Sequence, residues 1–148
     1  MIERRDFLLG TVSLGLLAAC GGPGSVTVTA MGTAGMNPGA DGADRPVTVQ
    51  VIQMRGTGAF DGSDYFALQN PSAALGAEFV RADAIAVGPG KSASKTIGLD
   101  PGTVAIGIVA GFVNPSGKSF RAKSAVSATS NAAFKVEVTS GGLKLVPA

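Results

Sequence analysis

The sequence contains no histidine, no tryptophan and only one cysteine among its 148 residues. Without histidine it lacks the side chain that most often acts as a general base or a metal ligand near neutral pH. Its serines also stand outside the Gly-x-Ser-x-Gly pattern of a nucleophile elbow. We therefore expect neither an enzyme nor a metal site, and no cofactor or small-molecule substrate. A single cysteine also excludes a disulfide within the chain, so the fold has to depend on packing.

Charge is scarce as well: 15% of the residues are charged and the formal net charge is +2. These charges are scattered and form no basic stripe, so the chain lacks the electrostatic footprint of a nucleic-acid-binding protein. Residues 88–92 (GPGKS) resemble the end of a phosphate-binding loop, but Ile85 occupies the position of that motif's first glycine. We interpret this segment as a turn between two strands.

The first nineteen residues have the layout of an export signal. A short charged region is followed by an apolar run of 11 residues, 7–17 (FLLGTVSLGLL). A membrane-spanning helix needs about 20 apolar residues, so this run fits the core of a signal peptide instead. Arg4 and Arg5, followed by Phe7 and Leu8, resemble the twin-arginine export motif. An ordinary basic region and the general export route are the alternative.

Small residues stand directly before the only cysteine. Residues 17–20 (LAAC) resemble the lipobox of bacterial lipoproteins, in which the thiol receives a diacylglyceryl group and the chain is cut before the cysteine. Cys20 is therefore the expected lipid-attachment residue, and residues 20–24 (CGGPG) form a flexible tether of at most about 17 Å. Because Gly21 replaces the Asp that would suggest inner-membrane retention, the resemblance implies the outer membrane. A lone buried cysteine is the alternative.

The remaining residues, 25–148, contain short segments with the period of two that is typical of strands. Val26, Val28 and Ala30 share one face of the first segment. In residues 46–55 the apolar positions change face, which predicts a bulge near Val51. Across residues 103–113, alternate positions starting at Val104 are expected to point to the core. Further strands are predicted over residues 84–87, 92–99, 119–126, 133–139 and 143–146.

Residues 59–70 interrupt this pattern with a predicted short helix. Ser63 or Asp64 is placed to cap it, and Asn70 followed by Pro71 to end it. The sequence therefore predicts an all-β domain over residues 25–148, built as an antiparallel two-sheet β-sandwich of about eight strands. The small helical insertion follows the second strand.

The order of these segments after a lipobox resembles the TssJ (VasD-type) outer-membrane lipoproteins of type VI secretion systems. The resemblance is carried by residues 37–38 (NP), 46–54 (PVTVQVIQM), 64–68 (DYFAL), 89–90 (PG) and the strand 107–112. It implies a transthyretin-like sandwich that faces the periplasm and anchors the secretion membrane complex to the outer membrane. The implied partner is the periplasmic domain of TssM, within a complex that also contains TssL.

In that family the loop between the first two strands contacts TssM, and it corresponds here to residues 32–45. We expect Met36 to be an exposed apolar anchor, because the loop offers no core for it to fill. Asn37, Asp41 and Asp44 would form a polar rim, and Arg45 would pair with an acidic group of the partner. The candidate partner-binding residues are Gly35, Met36, Asn37, Pro38, Asp41, Asp44 and Arg45.

Two alternatives to partner binding stay open. A loop of this length is sometimes merely flexible. A different class of protein, an envelope lipoprotein that binds a small ligand or glycan, would use the sandwich as a lectin-like module. Such sites usually offer aromatic platforms, and the chain has one tyrosine and no tryptophan.

Overall fold

The computed structural model describes residues 22–148. The predicted signal peptide, the export motif at Arg4 and Arg5, and the lipid site at Cys20 lie outside the described residues. Within residues 22–148, no helix combines the length and the apolar character that a membrane span requires.

Eight strands form two sheets that pack face to face. The strand order is β4-β1-β7-β8 in the first sheet and β3-β2-β5-β6 in the second. The strands are β1 Ser25–Gly32, β2 Val47–Met54, β3 Phe79–Val87, β4 Ser92–Gly98, β5 Ala105–Gly111, β6 Arg121–Ala125, β7 Asn131–Thr139 and β8 Gly142–Pro147. The predicted all-β sandwich of about eight strands is confirmed.

One pair of strands departs from the expected antiparallel arrangement. β1 and β7 run parallel, with Val28 opposite Phe134, whereas every other pair is antiparallel. A tight hairpin makes consecutive strands antiparallel, but β1 and β7 are separated by most of the chain. Their relative direction therefore depends on the topology, and the alternation within each strand carries no information about it.

The space between the sheets is filled by the apolar positions of the alternating segments. Val26, Val28 and Ala30 of β1 are fully buried there, as the sequence predicts. Alternate residues of β2, β5 and β7 meet them from both sheets. Val104, which was expected to point to the core, is 50% exposed because it lies just before the start of β5.

β2 is buried on both of its faces. Val49 and Val51 point between the sheets, whereas Ile52 and Met54 point to the opposite side and are also fully buried. The predicted bulge near Val51 is wrong, since the pairing with β3 stays in register until after Gln53. The apolar positions change face because the second half of β2 is covered on its outer side.

That cover is the helical insertion, which consists of α1 Gly58–Gly62, α2 Tyr65–Leu68, α3 Pro71–Leu75 and a 3₁₀ turn Gly76–Glu78. The predicted cap is confirmed, since the Asp64 carboxylate accepts a hydrogen bond of 2.8 Å from the N–H of Ala67. Phe60 and Leu68 pack onto the outer face of β2 and β5. On β5, a Cβ at Gly107 would lie 2.6 Å from the Phe60 ring, so the close approach of the insertion requires glycine there.

The two ends of the sandwich carry different loops. The tether end comprises residues 22–24, 55–57, 76–78, 99–104 and 127–130, and Gly24 there donates a hydrogen bond of 2.7 Å to the carbonyl of Ala128. β1 starts at this end and runs for eight residues, or about 26 Å. The distal end comprises the β1–β2 loop (33–46), the β3–β4 turn (88–91), the β5–β6 loop (112–120) and the β7–β8 turn (140–141).

Two phenylalanines of the insertion provide a matched test of this architecture. Phe60 is buried against Gly107, whereas Phe66 is 77% exposed. Phe60→Ala should lower the free energy of unfolding by about 3–5 kcal/mol, because it leaves a cavity above β5. Phe66→Ala should change it by no more than about 0.5 kcal/mol. Urea denaturation of both variants measures the difference, and equal effects would contradict the role given to Phe60.

Candidate functional site

The β1–β2 loop is a folded structure. At its start, the N–H and the hydroxyl of Thr33 donate hydrogen bonds to the carbonyl of Val138 on β7, at 3.0 and 3.2 Å. Further on, Pro38 and Asp44 form a short antiparallel bridge, and the N–H of Gly39 donates to the carbonyl of Ala43 at 2.9 Å. The loop therefore closes into a small hairpin whose exposed tip is residues 40–43.

Met36 is not an exposed anchor. Its side chain is fully buried and belongs to the main core between the sheets. The expectation of exposure was wrong because the loop turns inward at the distal end, where the space between the sheets is open and an apolar side chain can fill it. Met36 thus fastens the loop to the core, and a deletion that removed it would also remove part of that core.

Asn37 is buried as well, and it is not part of a polar rim. Its side-chain amide donates a hydrogen bond of 3.1 Å to the carbonyl of Pro46. Its side-chain oxygen accepts a hydrogen bond of 2.8 Å from the N–H of Val113. Both polar atoms of this buried side chain are therefore satisfied, and they join the β1–β2 loop to the β5–β6 loop.

Asp44 organises the base of the hairpin. Its carboxylate accepts hydrogen bonds from the N–H groups of Asn37, at 2.8 Å, and Gly35, at 2.6 Å. The N–H of Asn37, supported by the backbone N–H groups of Gly35, Arg45 and Met36, holds the pKa of Asp44 below its ordinary value, against the opposing effect of desolvation. The charged form of Asp44 therefore favours the folded loop.

Arg45 forms an ion pair with Asp41 of its own loop. Its guanidinium lies 3.3 Å from the carboxylate of Asp41, and both side chains are about half exposed. An exposed pair of this kind contributes little to stability, so either side chain can change partners at low cost. The expected pairing of Arg45 with an acid of another protein stays a prediction.

The β5–β6 loop lies beside the hairpin and completes the surface. The ammonium of Lys118 donates a hydrogen bond of 2.8 Å to the carbonyl of Met36 and lies 4.7 Å from the centre of the Phe112 ring. Val113 is 55% exposed, although it directly follows the buried strand β5 and the buried side chain of Phe112. Between the two loops runs a groove of about 400 Å³, lined by Pro38, Gly39, Ala40, Val113, Asn114, Ser116 and Lys118.

The helical insertion reaches the same end of the sandwich. The hydroxyl of Tyr65 donates to the carbonyl of Phe112 at 2.8 Å and accepts from its N–H at 2.7 Å. The neighbouring Phe66 has its ring 5.3 Å from that of Tyr65 and is mostly exposed. The contribution of residues 65–66 and 113–118 to the surface beside the β1–β2 loop was not predicted from the sequence, because these contacts span 47 to 82 positions of the chain.

The distal surface offers a groove and exposed apolar groups. Across residues 22–148, no group of three or more His, Cys, Asp or Glu side chains is close enough to hold a metal ion. Buried contacts fix the backbone of both loops, while Val113, Phe66 and the hairpin tip are presented to solvent. Such an arrangement suits the binding of another macromolecule.

Substitution of two methionines near the start of the loop tests whether burial of Met36 anchors the loop to the core. Met36→Ala should reduce the free energy of unfolding by about 2–5 kcal/mol, because a fully buried side chain is lost from the core. Met31→Ala, at a position that is 39% exposed, should cost no more than about 1 kcal/mol. Thermal and urea unfolding provide the comparison, and a mild effect at Met36 would show that the loop is not anchored by this residue.

The lowered pKa of Asp44 predicts a pH-dependent contribution to stability. A depressed folded-state pKa stabilises the protein above the unfolded-state pKa of about 3.9, and this contribution is lost as the pH falls through the folded-state value. Asp44→Asn should therefore be less stable than the unmodified protein at pH 7, and the difference should shrink below about pH 4. Asp41→Asn, in the exposed tip, serves as the control, and a pH-independent deficit for Asp44→Asn would exclude the electrostatic explanation.

Comparison with solved structures identifies relatives of this fold. TssJ1 from Pseudomonas aeruginosa, described as a T6SS lipoprotein, superposes with a TM-score of 0.76 at 23% identity, over 86% of this chain and 98% of that chain. Lip from Serratia marcescens, described as a membrane-bound component of the Type VI Secretion System, gives 0.72 at 20% identity, over 86% and 99% of the two chains. A chain in a structure described as the T6SS protein TssM C-terminal domain from EAEC gives 0.67 at 22% identity, over 84% and 98%.

These identities are low and support the fold alone. No curated protein sequence matches this chain. The family assignment rests on a sequence model, that of the type VI secretion lipoproteins VasD, EvfM and TssJ, which matches residues 24–141. That range includes seven of the eight strands, all but β8, together with the whole distal surface. The chain therefore belongs to the TssJ (VasD-type) family of type VI secretion lipoproteins.

Proposed function

We propose that this protein anchors the type VI secretion membrane complex to the outer membrane, through a lipid on Cys20, and faces the periplasm. Its distal surface would bind the periplasmic domain of TssM, within a complex that also contains TssL. The observation that carries the proposal is the position of this surface. This surface lies at one end of the sandwich, and Gly24 lies at the other end. From Gly24 the chain leads back to the lipid site at Cys20.

This placement matches the task of bridging two membranes. A lipid on Cys20 would hold the tether end at the outer membrane, and β1 spans about 26 Å between the two ends. The distal loops would then be directed away from the membrane, toward a protein that extends from the inner membrane. A binding surface at the tether end would have to compete with the lipid headgroups for the same space.

The rigidity of the distal loops also favours binding. Met36, Asn37 and Asp44 are occupied by contacts inside the protein, so we assign them to positioning the hairpin and not to touching TssM. Loops that are already ordered lose little conformational entropy when a partner docks.

Direct contacts are assigned to the groups that the distal end exposes. Val113 provides an exposed apolar side chain beside the groove, and Phe66 adds an aromatic ring that a partner can cover. Apolar and aromatic side chains at the centre of an interface usually contribute most of its binding energy. On the hairpin, Gly35, Pro38, Asp41 and Arg45 retain their assignment as candidate contacts, and Pro38 lines the same groove as Val113.

Two valines that flank β5 provide a matched test of the binding surface. Val113 is 55% exposed at the distal end and Val104 is 50% exposed at the opposite end of the same strand. Val113→Asp should raise the Kd for the TssM periplasmic domain by about tenfold or more, because it puts a charge into an apolar contact. Val104→Asp introduces the same charge at equal exposure and should leave the Kd unchanged.

The measurement is a titration of the detergent-solubilised protein with the purified TssM periplasmic domain, accompanied by a thermal melt of each variant. Equal melting temperatures would show that both valine variants remain folded. Loss of binding in Val104→Asp with full binding in Val113→Asp would place the interface at the tether end and contradict the proposal. If both bind normally, Phe66→Asp is the next variant, and unchanged affinity there would exclude the distal surface.

A further inference from the structure

The chain is fixed to the fold from Gly24 onward. The N–H of Gly24 donates a hydrogen bond of 2.7 Å to the carbonyl of Ala128, and the N–H of Leu99 donates one of 2.9 Å to the carbonyl of Gly24. A Cβ at Gly24 would also collide with the backbone of Ser130, so this residue is packed against the β6–β7 turn. Only residues 20–23 can therefore act as a free tether.

Four residues give this tether a short reach. Fully extended, they span at most about 14 Å, and a flexible Gly-rich segment of this length spans about 11 Å on average. A lipidated Cys20 would lie where the acyl chains meet the headgroups. The polar layer of one leaflet is about 5–8 Å thick, so an average tether leaves only a few ångströms between the headgroups and Gly24. The tether end would then touch the membrane most of the time.

The chemistry of this end suits such a contact. A groove of about 400 Å³ opens there, lined by Pro23, Leu99, Asp100, Pro101, Ala128 and Thr129. Across residues 22–24, 99–104 and 127–130, Asp100 is the single charged residue. Arg55 and Glu78 lie on the adjoining segments, where the Arg55 guanidinium donates to the carbonyls of Ala77 and Phe79 and the Glu78 carboxylate accepts from the N–H of Ala59. Pro101 is exposed, and so is half of Val104. Because Arg55 and Glu78 already make hydrogen bonds within the protein, the loops around the groove can approach the headgroup layer at a low desolvation cost.

We propose that the tether end is a membrane-contact surface, which rests on the phospholipid headgroups and holds the sandwich upright. The inference rests on the lipid anchor at Cys20 that forms part of the proposed function. Arg55, Glu78 and Asp100 together give this end no net positive charge, so the contact does not depend on anionic lipids and is insensitive to salt. Its consequence is orientation, because a domain seated on this end presents its distal loops about 26 Å farther from the membrane.

The absence of tryptophan from the sequence makes a direct test possible, since a single introduced tryptophan becomes a unique fluorescent reporter. Pro101→Trp and Thr129→Trp place it at the tether end, and Ala40→Trp places it at the exposed tip of the distal hairpin. Each full-length variant is purified in its lipidated form and reconstituted into phosphatidylcholine vesicles. A fraction of these lipids carries a nitroxide on the headgroup, which quenches nearby tryptophans.

We expect the tryptophans at 101 and 129 to lose most of their emission and the one at 40 to lose little, at low and at high salt alike. Equal quenching at all three positions, or quenching that disappears at high salt, would overturn the inference. Flotation of the vesicles reports on the anchor separately. A protein that fails to float contradicts the lipid anchor and with it this inference, whereas one that floats with an unquenched tether end contradicts the inference alone.

Discussion

The burial of β2 and β5 on both faces is the constraint on which the rest of the structure depends. On one side these strands supply the core between the sheets, and on the other they support the helical insertion through Ile52, Met54 and Val109. Close approach of the insertion requires the missing side chain at Gly107, over which Phe60 packs. The insertion then carries Tyr65 to the backbone of Phe112, so the packing of two central strands also determines the position of a distal loop.

A buried amide side chain fixes the loops at each end. At the distal end Asn37 binds the carbonyl of Pro46 and the N–H of Val113. At the tether end Gln53 donates to the carbonyl of Gly98, and its oxygen accepts from the N–H of Asp100 and the hydroxyl of Thr103. A buried amide left without partners is costly, so each of these side chains holds its loops in one arrangement. Both proposed contact surfaces are built on loops that are fixed in this way.

The division of the molecule into two ends also explains how its charges and apolar groups are distributed. The tether end has no net positive charge, because Arg55 is accompanied by Glu78 and Asp100, and it suits the proposed contact with lipid headgroups. The distal end combines exposed Val113 and Phe66 with the half-exposed ion pair of Arg45 and Asp41, which suits recognition of a protein. The sandwich thus places the proposed lipid contact and the proposed protein contact one strand length apart, and neither contact requires a conformational change.

The sequence by itself determined most of the strands, the helical insertion and the family, because these depend on local alternation, on caps such as Asp64 and on the order of short motifs. It missed the first five residues of β3, which was predicted to start only at residue 84. Only the tertiary structure decided the roles of Met36 and Asn37. Nothing in a Gly-rich segment shows that the side chain of Met36 will enter the core at the distal end, or that the side chain of Asn37 will bind a loop 76 positions away. Likewise, the parallel pairing of β1 with β7 and the cover on the outer face of β2 arise from contacts between distant parts of the chain, and such contacts leave no periodic signal in the residues that make them.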